Sequence, residues 1–341
     1  MKGSQRGGPP ENGFSAVVAA AYGVAMVTLE FHDDAATFLA AAGAHLAADP
    51  LVATVVATTA EREARRAAAA PGSSRPPDVR WFLAVRDDAG EVVGAAMRTA
   101  PFAPHPAYVL PLPPGAGTAL AEALHARGEF LGGVNGALPA AREVADATAR
   151  LWGTTARVDE RLRLHELGEL VVPPAPEGRL RLAGPDDVRR CGELFRAFDG
   201  EAAAQAGRAA GHDGEHFSDE DVAARIADGL VHLWVLDDGT EGGLPVHLTA
   251  RNAPARGVVR IGPVLTPREH RGRGYAARAV AEVSALARDA GHRVVLFTDL
   301  DNPVSGPLYA RLGYEPVVDT ANHVVEPPPQ DCAGRAGAAP Q

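Results

Sequence analysis

Two glycines and two arginines precede a predicted helix in the C-terminal half of the chain. Gly272 and Gly274 alternate with Arg271 and Arg273, and an alanine-rich helix is predicted over residues 276–290. Glycine lacks the Cβ that keeps a ligand away from the backbone, and the first turn of a helix leaves N–H groups unpaired. These donors, the helix dipole and the two guanidinium groups together suit a diphosphate. The pattern predicts a diphosphate-binding loop, with a plain strand-to-helix turn as the alternative.

The elements around this loop place it between two strands. A β-branched run over residues 258–265 predicts a strand before the loop, and residues 293–298 predict a second strand after the helix. A dinucleotide-binding fold would use a similar arrangement. It requires the pattern GxGxxG and an acidic residue at the ribose position, and neither is found in this segment.

These motifs resemble those of the GNAT superfamily of N-acetyltransferases. Arg271-x-x-Gly274-x-Ala276 fits the signature (Q/R)xxGx(G/A) of that family, although the spacing from Pro267 to Arg271 is one residue longer than usual. The run over residues 309–314, Tyr-Ala-Arg-Leu-Gly-Tyr, also resembles the family. The segment of residues 262–318 is therefore similar to the half of a GNAT domain that binds acetyl-CoA.

The resemblance implies a set of cofactor-binding residues. In the family, two parallel strands splay apart and the pantetheine arm of CoA lies in the gap, while the loop holds the diphosphate. Asn302 matches an asparagine that contacts CoA, but an Asx turn before Pro303 explains it equally well on local grounds. The residues expected to bind CoA are Val264, Leu265, Thr266, Arg271, Gly272, Arg273, Gly274, Tyr275, Ala276 and Asn302.

Tyr309 is the residue that the resemblance assigns to catalysis. The family places a tyrosine before this Leu-Gly-aromatic turn, with its hydroxyl directed at the CoA sulfur. A phenol stays protonated at neutral pH and can donate to a departing thiolate. The alternative is an aromatic side chain that packs beside Leu308 and Leu312.

The predicted elements follow one plan twice. Each half shows strand, helix, helix, three strands, helix, strand, helix and strand, which is the GNAT order. In the first half, Asp33 or Asp34 is the predicted cap of the first helix, the second helix is predicted from residue 49 or 50 to about 70, and residues 108–112 predict a strand. In the second half, Ser218 is the predicted cap of the second helix. The fold class is therefore α/β, with two tandem GNAT-like domains that each contain a mixed, mostly antiparallel sheet, splayed central parallel strands and flanking helices. The predicted divisions are a flexible leader (1–25), a degenerate domain (26–172), a linker (173–178), a catalytic domain (179–325) and a disordered tail (326–341).

The two halves differ at the loop before the third helix, which is the predicted diphosphate-binding loop in the second half. The first half has Pro113-Pro114-Gly115-Ala116-Gly117 before its third helix, without an arginine and with prolines that remove N–H donors. The helix over residues 138–151 also lacks a tyrosine. We expect the first half to be a non-catalytic partner of the second.

The proton acceptor for the attacking amine has several candidates and no clear choice. Each is more simply explained as a solvated or structural side chain, and a water chain to a distant carboxylate is sufficient for the reaction. The pair His212 and His216 suggests a metal, but a loop rich in glycine and alanine surrounds it, so no metal is expected. The candidates are Asp199, Glu201, Glu215, His216, His232 and His247.

Composition limits the remaining function classes. The formal charge of −10 over 341 residues argues against a general nucleic-acid binder. Cys191 and Cys332 predict no disulfide framework, which favours a reducing cytoplasm. No apolar run reaches the length of a membrane span. Residues 16–27 superficially resemble a signal peptide, but a leader with translation starting near Met26 is the preferred interpretation.

The sequence thus predicts an acetyl-CoA-dependent N-acetyltransferase that acts on a primary amine of a small molecule. No nucleic-acid or membrane partner is expected, and the protein is predicted to be a monomer or homodimer. The alternatives are a CoA-binding regulatory or scaffold protein without turnover, and a transferase with a larger acyl or an aminoacyl donor.

Overall fold

The computed structural model describes residues 15–18, 26–69, 79–99, 105–205 and 218–328. In the first half, the predicted cap Asp34 starts α1, because its Oδ1 accepts a hydrogen bond from the Thr37 amide at 2.8 Å. The elements are β1 (Ser15–Val18), β2 (Val27–His32), α1 (Ala35–Ala48), α2 (Thr54–Ala69), β3 (Val79–Arg86), β4 (Val92–Thr99), β5 (Ala107–Val109), α3 (Ala116–Ala126), β6 (Gly133–Ala137), α4 (Ala140–Trp152) and β7 (Ala156–Leu167).

The second half repeats this order. The predicted cap Ser218 starts α6 by accepting a hydrogen bond from the Asp221 amide at 3.1 Å. The elements are β8 (Arg179–Leu182), α5 (Val188–Gln205), α6 (Asp219–Ala227), β9 (Val231–Leu236), β10 (Leu244–Arg251), β11 (Val258–Leu265), α7 (Tyr275–Asp289), β12 (Arg293–Asp299), α8 (Ser305–Arg311) and β13 (Tyr314–Val325).

All described strands join one 13-stranded sheet in the order β1-β2-β3-β4-β5-β6-β13-β7-β12-β11-β10-β9-β8. The pairs β5·β6 and β11·β12 are parallel, and the other pairs are antiparallel. Each half therefore contributes a mixed, mostly antiparallel sheet with one central parallel pair. This confirms the predicted fold class.

The two halves exchange their last strands. β7, which ends the first half, pairs with β12 of the second half, and β13 pairs with β6 of the first half. The two exchanged strands also pair with each other, where Arg163 Nη2 lies 2.9 Å from Asp319 Oδ2. Strand pairing therefore joins the two halves on either side of the predicted linker. β7 precedes that linker in sequence but pairs with a strand of the C-terminal half.

Helices cover the sheet in each half. In the first half, α1 and α2 pack over Phe82 and Met97, and α3 and α4 pack over Leu83 and Val134. The second half has separate clusters under α5 with α6 and under α7 with α8. The central strands are buried on both faces, because helices lie on each side of them.

Several element limits differ from the sequence-based predictions. Residues 15–18 lie within the predicted flexible leader but pair with β2 as a strand. The helix predicted from residue 49 begins at Thr54, because Asp49 instead accepts a hydrogen bond from the Val52 amide in the preceding turn. The predicted strand over residues 108–112 ends at Val109, before two prolines. The rest of the leader and residues 329–341 of the tail lie outside the described residues.

None of the helices in the described ranges is both long and apolar enough to span a membrane.

Candidate active site

The two parallel strands of the C-terminal half separate midway along their length. β11 and β12 pair over residues 258–261 and 293–296 only. β11 continues to Leu265 beside β10, and β12 continues to Asp299 beside β7. The separation opens a cleft of about 720 Å³ at the C-terminal ends of these strands. The resemblance predicted such a splayed pair.

All eleven residues predicted for the site line this cleft. They come from the end of β11, from the loop and first turn of α7, and from the segment that joins β12 to α8. They are Val264, Leu265, Thr266, Arg271, Gly272, Arg273, Gly274, Tyr275, Ala276, Asn302 and Tyr309.

The glycine loop leaves its backbone open to the cleft. Gly272 and Gly274 have φ angles of 77° and 85°, a conformation that favours glycine. A Cβ added at either position would meet no other atom within 4 Å. Contact with neighbouring protein atoms therefore does not explain why these two residues are glycine. Gly274 immediately precedes α7, and Tyr275 anchors that helix by stacking on Trp234 with ring centroids 6.4 Å apart. The first amides of α7 therefore face space that an anion can enter.

Arg271 is held in place by two contacts. Its Nε donates to the Thr266 carbonyl at 2.9 Å, and its Nη2 lies 2.7 Å from Glu201 Oε2 on α5. Arg268 donates to the same carboxylate, and its hydrogen bond is the main reason that the pKa of Glu201 is lowered. Glu201 is thus an ionised clamp between α5 and the loop. Its two arginine partners and its lowered pKa make it a weak proton acceptor.

A buried histidine positions Thr266 at the end of β11. His247 Nδ1 lies 2.7 Å from Thr266 Oγ1, and its Nε2 lies 2.7 Å from Thr249 Oγ1. His247 is 0% exposed, and burial lowers its pKa to about 3, so the ring is neutral at physiological pH. With both nitrogens engaged and no contact with the cleft, His247 supports the site and does not act in it as a base.

The buried histidines predict a loss of stability in mild acid. Burial holds the pKa of His247 at about 3 and that of His232 at about 4, whereas the unfolded chain titrates near 6.5. The stabilisation is complete above about pH 6.5 and is lost as the pH falls towards the folded-state values. As the pH falls through that window, each histidine becomes protonated in the unfolded chain and stays neutral in the folded protein. Each should therefore lower the free energy of unfolding by about 1.4 kcal/mol for every pH unit of decrease.

Urea unfolding at roughly one-unit steps between about pH 7 and 5 measures this slope. His247→Gln keeps an amide that can hydrogen-bond to the threonines but does not titrate. We expect the slope to decrease by about 1.4 kcal/mol per pH unit in this variant. An identical slope in both proteins would show that His247 takes up its proton without unfolding.

Asn302, which follows β12, and Tyr309 on α8 both line the cleft. Asn302 Oδ1 accepts hydrogen bonds from the amides of Val304 and Ser305, so the Asx turn is formed in a residue that also lines the cleft. Tyr309 packs edge-to-face on Tyr314 with ring centroids 5.9 Å apart. Its hydroxyl has no hydrogen-bond partner among the described residues, and burial raises its pKa. The neutral phenol therefore borders the cleft with a proton to donate.

The cleft lining also contains residues that the sequence analysis did not predict. Asp159 and Glu160 reach it on β7, and Asp299 lies at the end of β12. Phe198 and Phe297 add an aromatic lining. β7 belongs to the first half in sequence, so only the strand exchange brings its carboxylates here, and no local pattern signals it.

The predicted proton acceptors are not gathered at the cleft. Glu201 lines it but is paired with arginines, and His247 is enclosed behind it. His232 lies elsewhere, in a second groove. Glu215, His216 and His212 fall outside the described residues, as does the side chain of Asp199. Among the described residues, no group of three or more His, Cys, Asp or Glu side chains is placed to hold a metal.

The equivalent helix start in the first half is filled by a side chain of the protein. Gly115, with φ 87°, precedes α3 as Gly274 precedes α7. Here Glu143 Oε1 accepts hydrogen bonds from the Thr118 amide at 3.1 Å and the Thr118 hydroxyl at 3.0 Å. The carboxylate of Glu143 therefore takes the position of an anion at the first turn.

The parallel strands of the first half also stay close where those of the second half separate. A Cβ at Gly136 on β6 would lie 2.0 Å from the Val109 carbonyl oxygen on β5. There is no room for a ligand between these strands at this point.

We therefore expect one CoA per chain. Isothermal titration calorimetry of the full protein measures the stoichiometry, and Gly274→Val serves as the matched variant. Binding with a stoichiometry near one, greatly weakened in Gly274→Val, would agree with a single C-terminal site. Two CoA molecules per chain would show that the first half binds as well.

Comparison with known proteins agrees with this geometry. Residues 245–323 match the family model described as FR47-like protein. A GCN5-related N-acetyltransferase from Sphaerobacter thermophilus superposes with a TM-score of 0.52 at 20% identity, over 92% of this chain and 95% of that one. A search of curated proteins found no match.

A second solved structure is similar over most of the chain. The glucosamine N-acetyltransferase region of a fungal multi-domain beta-N-acetylglucosaminidase superposes with a TM-score of 0.50 at 15% identity, over 90% of this chain and 39% of that one. The chain thus has the fold of these GNAT N-acetyltransferase structures. Its C-terminal half contains the segment that matches the FR47-like model, in agreement with the resemblance predicted from the sequence.

Proposed function

We propose that the protein transfers an acetyl group from acetyl-CoA to a primary amine of a small molecule, using the C-terminal cleft. The observation that carries the proposal is the gap between β11 and β12, which is lined both by an open glycine loop and by Tyr309. A linear ligand with a diphosphate and a thioester needs this combination.

Each part of the cleft has a role in the proposed reaction. The amides at the start of α7, with Arg271 and Arg273, bind the diphosphate. The backbone at Val264 to Thr266 binds the pantetheine arm, and one of its N–H groups polarises the thioester carbonyl. Tyr309 donates its proton to the departing thiolate.

Three carboxylates of the cleft lining support an amine as the acceptor. Asp159, Glu160 and Asp299 border the cleft, and carboxylates favour a cationic ligand. Arg157 already pairs with Asp159 at 2.6 Å, so Glu160 and Asp299 supply the charge in this argument. The aromatic rings of Phe198 and Phe297 would contact the body of such a ligand and can also attract its charge. Under this proposal, the acceptor site combines strands from both halves of the chain.

Release of free thiol from acetyl-CoA, screened against a panel of amines, amino acids and aminosugars, tests the function. The expected result is amine-dependent thiol release that is roughly ten- to a thousandfold slower in the Tyr309→Phe variant. A CoA-binding protein without turnover would bind acetyl-CoA in calorimetry but release no thiol with any acceptor. Replacing acetyl-CoA by longer acyl-CoA donors in the same assay tests the choice of acyl group.

A further inference from the structure

A second groove lies on the side of the C-terminal half away from the cleft. It has a volume of about 850 Å³, which is within the range of small-molecule sites. α2 of the first half forms one wall, and the ends of β10 and α7 form the other. Glu61 on α2 holds these walls together, because its Oε1 lies 3.1 Å from Arg256 Nε.

The groove is basic although the protein as a whole is acidic. Arg62, Arg65 and Arg66 occur at positions i, i+3 and i+4 of α2 and thus share one face. Arg251 faces them from β10, and Asp228 is the only carboxylate in the lining. Glu63 of α2, outside the lining, pairs with Arg66 at 2.7 Å and with Arg62 at 3.8 Å. This local positive charge contrasts with the formal net charge of −10 for the whole chain.

Two of these arginines have no carboxylate partner among the described residues. Arg65 Nε donates to the Glu61 carbonyl at 3.3 Å, and Arg251 Nη2 donates to the Gly229 carbonyl at 3.3 Å. The remaining guanidinium N–H groups of both residues are available to an anion. Burial also lowers the pKa of Arg251, which shows that its charge is partly removed from water.

The groove also offers a buried hydrogen-bonding group. His232 is 5% exposed and belongs to the lining, and its Nδ1 has no hydrogen-bond partner among the described residues. A buried polar atom of this kind is usually satisfied by a ligand or water.

Apolar side chains stand exposed beside the arginines. Leu182 and Leu286 are 55% and 57% exposed, and both line the groove. Pro254 and Ala290 extend this surface. A ligand here would therefore contact positive charge on one side and hydrocarbon on the other.

We propose that this groove binds a small organic phosphate ester, with the phosphate between α2 and Arg251 and the apolar body against Leu182 and Leu286. A phosphate dianion presents three acceptor oxygens, which matches several convergent guanidinium groups better than a single carboxylate does. The binding site joins the two halves and is separate from the cleft, and it does not depend on the proposed acetyl transfer.

Phenyl phosphate is a suitable probe, because it joins a phosphate to an apolar ring. Its binding to the full chain is measured by calorimetry, without CoA and with CoA present in excess. The double variant Arg65→Gln/Arg251→Gln removes the two arginines that have no acidic partner. Arg142→Gln/Arg150→Gln, on the exposed face of α4, changes the net charge equally and serves as control.

We expect phenyl phosphate to bind in both conditions and to bind roughly tenfold or more weakly to the Arg65/Arg251 variant, because charge-assisted contacts are lost. The control variant should bind as the wild type does. Inorganic phosphate should bind more weakly than phenyl phosphate, and phenol should not bind.

Other results would overturn the proposal. Loss of binding when CoA is added would place the probe in the cleft, and equal weakening in both variants would indicate general charge attraction. Tighter binding of a polyglutamate peptide than of phenyl phosphate would indicate a protein-docking surface. Unchanged thermal unfolding of both variants excludes misfolding as the cause.

Discussion

Replacement of Tyr309 by Phe is expected to lower kcat by roughly ten- to a thousandfold, with CoA affinity nearly unchanged. The variant keeps the ring that packs on Tyr314 and deletes only the hydroxyl. That hydroxyl has no hydrogen-bond partner among the described residues, so its removal should cost little stability. Because burial raises the pKa of Tyr309, the phenol stays protonated until a thiolate forms beside it.

Tyr314→Phe provides the matched control. Tyr314 is also buried, but its hydroxyl lies 2.8 Å from Ser284 Oγ, and Tyr314 does not line the cleft. We expect this variant to lose about 1 kcal/mol of stability and to keep its kcat. Full activity of a folded Tyr309→Phe protein would reject the catalytic role, and equal losses of kcat in both variants would indicate a packing effect.

Replacement of Gly274 by Val is expected to weaken CoA binding by roughly ten- to a hundredfold, the loss that corresponds to one or more charge-assisted hydrogen bonds. The added side chain would enter the open space in front of the loop and would strain a backbone at φ 85°. Calorimetric titration with CoA measures the change.

Gly291→Val separates the loss of space for the ligand from the strain of a left-handed backbone. Gly291 has φ 84°, it follows the other end of α7, and a Cβ there also meets no atom within 4 Å. Both variants should therefore lose a similar stability, about 1 to 2 kcal/mol, from the left-handed backbone. Only Gly274→Val should lose CoA affinity. A similar affinity in the two variants would remove the basis for placing the diphosphate at this loop.

Local features of the fold were predictable from the sequence because they depend on neighbours along the chain. The sequence offered Asp33 or Asp34 as one helix cap and Ser218 as another. Asp34 and Ser218 each accept a hydrogen bond from an amide three residues later. The glycine pattern at residues 272 and 274 predicted a turn before α7, and the structure gives both glycines a left-handed φ there. The eleven proposed site residues come from one continuous part of the chain, and they line one cleft.

Features that join distant segments were not predictable in this way. Glu143 fills the start of α3 from a different helix, and a motif search finds only the missing arginine in the loop. Glu201 was a candidate base, but its contacts with Arg268 and Arg271 make it an ionised clamp. In each case a long-range contact decides the state of the group.

The sequence by itself therefore determined the order of the elements from β2 onwards, its repetition in the two halves and the position of the glycine loop before α7. Only the tertiary structure decided where β7 and β13 pair, and thus that Asp159 and Glu160 border the cleft of the other half. It also decided that arginines of α2 meet Arg251 in a second groove. The physical reason is that a strand's backbone groups can pair with either free sheet edge, so the burial and side-chain contacts of the assembled sheet select the partner.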